Sequence, residues 1–139
     1  MSPALQELRA IIVEHRTQFS NDIVEASRAA PQAPNAGPVY SKQDTLQMVH
    51  GFFELLLAAL DGRDKEMREM YLDVVMPSLR DAGTPAGQMI GGSAIVLFLI
   101  TANVSARLSN ESRSEAVSWL STYLGTFLGE VNDIWSERS

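Results

Sequence analysis

The 139-residue chain predicts an all-α domain of about five helices, and three observations carry that expectation. Apolar residues recur at three- and four-residue spacing in five segments, each bounded by a capping residue, a glycine or a proline. No segment alternates apolar and polar residues with the period of two that a half-buried strand requires. The stretch 89–104, MIGGSAIVLFLITANV, is apolar on nearly every side within an acidic chain, the pattern of a helix surrounded by protein.

The first helix opens at Ser2 and Pro3, a cap followed by a proline at the first helical position. Leu5, Leu8, Ile12, His15, Phe19, Ile23 and Ala26 then recur along one face to about Ala30. The segment 31–40, PQAPNAGPVY, holds Pro31, Pro34, Gly37 and Pro38, so it continues neither helix nor central strand and reads as a long surface loop. Ser41, with Asp44 three residues on, has the form of a capping box for a second helix. Leu46, Val49, Phe53, Leu56 and Leu60 form its main stripe, Phe52, Leu55 and Leu57 widen it, and Gly62 stops it.

A third helix starts near Asp64 and uses Met67, Met70, Tyr71, Val74 and Val75, until Pro77 ends or kinks it. Thr84 and Pro85 start the fourth by the same logic as Ser2 and Pro3. Asn110 or Ser112 caps the fifth, with Glu115 completing a box if the cap is Ser112. Ala116, Leu120, Tyr123 or Leu124, Phe127, Val131 and Ile134 keep its spacing for about six turns.

How apolar each helix is predicts where it packs, and the fourth is expected at the centre. Gly91 and Gly92 near its start either let another helix approach closely or mark a frayed first turn. The fifth helix presents Trp119, Tyr123, Phe127, Leu128 and Trp135, more apolar surface than one side of a small monomer covers. This predicts a homodimer through the last two helices, with Gly91, Gly92, Trp119, Tyr123 and Phe127 at the interface. The alternative is that these aromatics only close the monomer core.

Composition sets the remaining bounds. The length fits one domain over 1–139. The absence of cysteine excludes thiolate metal sites and cysteine nucleophiles. Glu7, Arg9 and Glu14 interrupt the N-terminal region where a signal peptide needs an apolar core, which makes the cytoplasm the expected location. A net charge of −6 without a Lys/Arg cluster argues against nucleic acid and anionic membrane surfaces as partners. The run 89–104 falls short of the roughly 20 apolar residues that a bilayer core needs, and Ser93, Thr101 and Asn103 interrupt it, so no membrane span is expected.

Only His15 and His50 offer imidazoles. His15 lies on the apolar stripe of the first helix and reads as a core or half-buried residue. His50 stands one turn from Leu46 and Phe53, where it could face a cavity and answer a polar group or a pH change. Its one carboxylate neighbour at helical spacing, Glu54, reads as a surface contact rather than half of a metal site. No serine sits in a nucleophile elbow, and neither histidine has the following lysine and small residues of phosphotransfer bundles. No enzyme activity, catalytic residue, metal or cofactor is expected.

The segment order, with the helix beginning SKQDTLQMVHGFFELLLAAL and the run GGSAIVLFLITANVSARL, resembles a reduced globin fold. More narrowly it resembles the N-terminal non-haem globin domain of RsbR-type stressosome proteins and related bacterial sensor domains. The resemblance places the five helices on globin helices B, E, F, G and H. The stretch on F, DKEMREMYLDVVMPSLRDAG, contains no histidine to hang haem iron from, and Met67, Met70 or Met76 would be a poor sole anchor. His50 would lie on the distal side.

The resemblance implies a stress-response sensor or regulatory domain that acts as a homodimer input module; some members of the family are joined to a downstream signalling domain or act on a signalling protein, and some are able to hold an apolar ligand such as a fatty acid. It implies a pocket between the E-like and F-like helices near His50, Phe53, Met70 and Tyr71, with a filled core as the alternative. A second reading is a structural scaffold or interaction module that binds no ligand.

Overall fold

A computed structural model of the chain describes residues 1–29 and 41–136, and the regular structure among them is entirely helical. The loop expected at 31–40 lies outside the described residues. α1 (Pro3–Ala29) begins as the sequence predicts, with the Ser2 hydroxyl accepting from the Leu5 amide at 3.3 Å. α2 (Lys42–Leu60) begins with the Ser41 hydroxyl accepting from the Asp44 amide at 3.0 Å. It stops at Gly62, whose φ of +71° lies in the region glycine enters without steric cost. Just before that stop, the Asp61 carboxylate accepts two bonds from Arg9, at 2.9 and 3.1 Å, and ties the end of α2 to α1.

The third predicted helix is a continuous rod in three parts: α3 (Lys65–Met70), a π turn (Tyr71–Val75) and α4 (Met76–Asp81). Pro77 was expected to end or kink this helix, and it does not end it: α4 runs on to Asp81. A proline has no N–H to give to the carbonyl four residues back and its ring crowds that carbonyl, here the one of Asp73. The wider π turn lies immediately upstream and takes up the misfit, with the Met76 amide bonding the Tyr71 carbonyl. The Ser78 hydroxyl then donates to the Val74 carbonyl at 2.6 Å. The rod stops at Gly83, where φ is +98°.

α5 (Ala86–Ser105) starts one step later than expected. Pro85 itself holds the cap position, and Thr84 is buried, its carbonyl accepting from the Trp135 indole at 2.9 Å. α6 (Asn110–Ser136) by contrast starts earlier than expected, with Asn110 already helical rather than a cap. Its first turn is answered from far away in sequence: the Glu7 carboxylate accepts from the amide and the hydroxyl of Ser109, at 3.0 and 3.1 Å. Those bonds hold the Glu7 carboxyl below the usual carboxylate range.

One cluster of buried side chains joins α1, α2, α4, α5 and α6. The expectation that the fourth helix is central is overturned, because α1 holds that place, packing on α2, α5 and α6. α5 packs mainly on α1 and α6, through Met89, Val96, Ile100 and Val104. Its opposite side faces out. Being apolar all round therefore does not place this helix inside the monomer.

Candidate interaction surface on α5 and α6

Between α2 and the π turn of the rod, where the globin resemblance would put a vacated haem pocket, aromatic rings pack together. The Tyr71 ring stacks on Phe52 with centroids 6.1 Å apart, and both meet the Phe127 edge at about the same distance. Gly51 makes this possible: a Cβ there would stand 1.9 Å from the Tyr71 hydroxyl oxygen. Burial, and more weakly the charge of Glu54, push the Tyr71 phenol above its ordinary pKa.

The four residues expected to share a ligand pocket do not share one. Phe53 is fully buried on the α1 side, stacked on Phe19 at 6.2 Å. Met70 is 57% exposed, His50 is half-buried, and Tyr71 lies in the aromatic cluster. His15 is half-buried with its ring 5.7 Å from Phe19.

Three of the residues expected at a dimer interface are also engaged within the chain. Phe127 is 1% exposed in the cluster with Phe52 and Tyr71, which leaves it no area to give to a second chain. Tyr123 donates its hydroxyl to Asp64 at 2.7 Å, stacks on Trp119 with centroids 5.3 Å apart, and lies under the Arg68 guanidinium. Burial and the bond to Asp64 push its phenol well above the ordinary pKa. Arg68 in turn pairs with Glu130. This group fastens the rod to α6 and is a monomer contact.

The glycine pair divides. Gly92 lines a narrow crevice between α1, α2 and α5, with Met48, Met89 and Val96, of about 150 Å³. Gly91 falls on the outer face of α5, and a Cβ on either glycine would meet nothing within 4 Å. Among the described residues no helix uses the room they leave.

What the outer face of α5 does present is apolar. Phe98 is 71% exposed, the highest among the exposed large apolar side chains, and Ile95 is 44% exposed. With Gly91, Ala94 and Ala102 they follow a spacing of three and four, opposite Val96, Ile100 and Val104. An open groove of about 270 Å³ runs beside Phe98 between α5 and α6, lined by Ala94, Thr101, Ser121, Gly125 and Leu128. α5 carries no charged residue, nor does α6 between Ala116 and Gly129. The sequence reading missed Phe98 and its groove. The signal was present as a second apolar stripe on the same helix, half a turn from the first.

α5 spans 20 residues, so the length argument against a membrane span, made on the run 89–104, does not hold for the helix that forms. By length and composition it could cross a bilayer. Its packing gives the opposing argument: Ile100 and Val104 are fully buried in the core shared with α1 and α6. Thr101 and Asn103 return their polar groups to carbonyls one turn back, at 3.0 and 2.8 Å.

Among the described residues no group of three or more His, Asp or Glu side chains is placed to hold a metal ion. Comparison with protein-family models, with curated proteins and with solved structures gave no match for this chain.

Proposed function

We propose that this chain is a bacterial regulatory domain of the non-haem globin-like type, acting as a cytoplasmic homodimer that passes a stress signal to a downstream protein or domain. The observation that carries the proposal is the uncharged face of α5 and α6, with Phe98 standing beside an apolar groove. A face that holds both a projecting ring and a groove is self-complementary: about a two-fold axis, each copy's Phe98 can enter the other's groove. Charge favours the same contact. Two chains of net charge −6 repel, and a surface without charges is where they can meet. Burying each Phe98 contributes roughly 1.5–3 kcal/mol.

The interface so proposed replaces Trp119, Tyr123 and Phe127 with Ile95, Phe98, Gly125 and Leu128, and keeps Gly91. Light scattering across the micromolar range tests it. The wild-type chain is expected as a dimer and Phe98→Asp as a monomer with an unchanged circular dichroism spectrum; a wild-type monomer at all concentrations ends the proposal.

One observation favours the second reading, a scaffold module without a ligand: Phe52, Tyr71 and Phe127 occupy the space between α2 and the rod. Among the described residues, one place for a small guest is the crevice at Gly92, and a more polar open cleft of about 560 Å³ lies between α1, α2 and Met67 of the rod. A space of about 150 Å³ suits a molecule the size of benzene, so a fatty acid entering the crevice at Gly92 would have to part α1, α2 and α5 or extend outward from it. Native mass spectrometry with a thermal-shift screen of fatty acids separates the readings: retained lipid and a raised melting temperature support the sensor, and repeated absence of both supports the scaffold.

A further inference from the structure

The rod of α3, the π turn and α4 has two unlike sides. Its two arginines turn inward onto α6. Arg68 pairs with Glu130 beneath the Tyr123 ring, and Arg80 donates to the Ile134 carbonyl at 2.8 Å while reaching Asp81 at 3.2 Å. The outward side is left with Glu66, Glu69, Met70, Asp73 and Val74, all exposed and spaced by three and four. Met70 and Val74 are 57% and 54% exposed, one turn apart, and among the rod's own cations Lys65 is the exposed one.

Beside this stripe an open cleft of about 360 Å³ lies between the rod and α6. Its apolar walls are Leu72, Pro77 and Ile134, and its carboxylates are Asp73, Glu130 and Asp133. Arg68 neutralises Glu130, and Arg80 lines the same cleft. Asp73 and Asp133 have no cation within pairing distance among the described residues. Asp73 belongs to both features and joins the apolar pair to the cleft.

We propose that this side of the rod is a docking surface for a basic amphipathic helix of a partner protein. Met70 and Val74 meet its apolar stripe, and a lysine or arginine side chain enters the cleft between Asp73 and Asp133. The rod spans residues 65–81, about 25 Å at the α-helical rise, so a helix of some four to five turns can lie along it. The complementary charges fix orientation and speed encounter, while the apolar pair supplies the dry contact. The surface is separate from α5 and its partner is a different protein, so this inference does not rest on the dimer.

The probe is a fluorescein-labelled peptide of about 18 residues, leucine at helical spacing and lysine elsewhere, titrated with the full chain at about 0.15 M salt and read by anisotropy. A lysine–serine peptide of equal charge is the control. The leucine peptide is expected to bind about tenfold more tightly than the control, and Asp73→Asn with Asp133→Asn to weaken it about tenfold. Met70→Ser with Val74→Ser should also weaken it, by about fivefold. Glu14→Gln with Glu111→Gln, which removes the same charge elsewhere, should change it less than about twofold. Phe98→Asp should leave it unchanged whether or not the chain dimerises. Absence of binding below about 1 mM overturns the inference. So does equal binding of the two peptides, or equal loss in the two charge-matched variants, which would mark general attraction to an acidic chain.

Discussion

α2 and α5 are the two most apolar helices of the chain, and they spend that character differently. Every large apolar residue of α2 from Val49 to Leu57 is buried within the chain, against α1 on one side and the rod on the other. α5 buries Val96, Ile100 and Val104 in the same core but leaves Ile95 and Phe98 outside. Composition says how much surface a helix needs covered. It does not say which chain covers it, and that difference turns a packing question into one about function.

The sharpest break between the two helices comes from removing the same residue type on each. Phe53→Ala should cost about 3–5 kcal/mol of folding stability, read by chemical denaturation, because Phe53 is fully buried and its loss leaves a cavity against Phe19. Phe98→Asp should change monomer stability by less than about 0.5 kcal/mol, as exposed substitutions do, while weakening self-association about 100-fold in sedimentation. If Phe98→Asp unfolds the chain instead, α5 is covered within the monomer and the contrast fails.

The glycines of the two helices sharpen it further. Gly51→Ala puts a methyl group where the Tyr71 hydroxyl stands and should destabilise by about 1–3 kcal/mol, the range for overpacking. Gly91→Ala meets nothing in the monomer and should stabilise it by about 0.5–1 kcal/mol through helix propensity. In the dimer the same methyl stands where the second helix approaches, so its affinity should fall. Thermal melts at low and high protein concentration separate the two effects.

The smallest effect concerns the α1–α2 junction. The bidentate Arg9 contact holds the Asp61 carboxyl below its ordinary pKa. A carboxylate lowered by folding stabilises the native state above its unfolded pKa, about 3.9, and that contribution is lost as pH falls through the folded value. Asp61→Asn should therefore flatten the stability profile on the acid side and leave its neutral-to-basic slope unaltered. An unchanged acid limb would show the pair to be energetically silent, as exposed pairs can be.

The helices themselves were legible because their signals are local. Ser2, Ser41 and Gly62 act where they stand, and the apolar spacing needs only a few turns of neighbours. Features set by distant partners were not legible. Glu7 answers the start of α6 from the other end of the chain, and Arg68 draws Tyr123 into a contact within the monomer. The π turn was hidden because Pro77 signals a defect without saying how it is absorbed. Of the expected dimer residues, Trp119, Tyr123 and Phe127 stand out in the sequence as large and aromatic, yet the exposed ring of the region is Phe98.

The chain's lack of cysteine allows a direct test of the central claim that α5 and α6 meet a second copy. Ala94→Cys, in the groove beside Phe98, is treated with a short bis-maleimide at micromolar concentration, with Val13→Cys on the exposed side of α1 as the comparison. The proposal predicts covalent dimers from Ala94→Cys, lost when Phe98→Asp is added, and few from Val13→Cys. Equal yields at the two sites, or a yield at Ala94→Cys that survives Phe98→Asp, would contradict it.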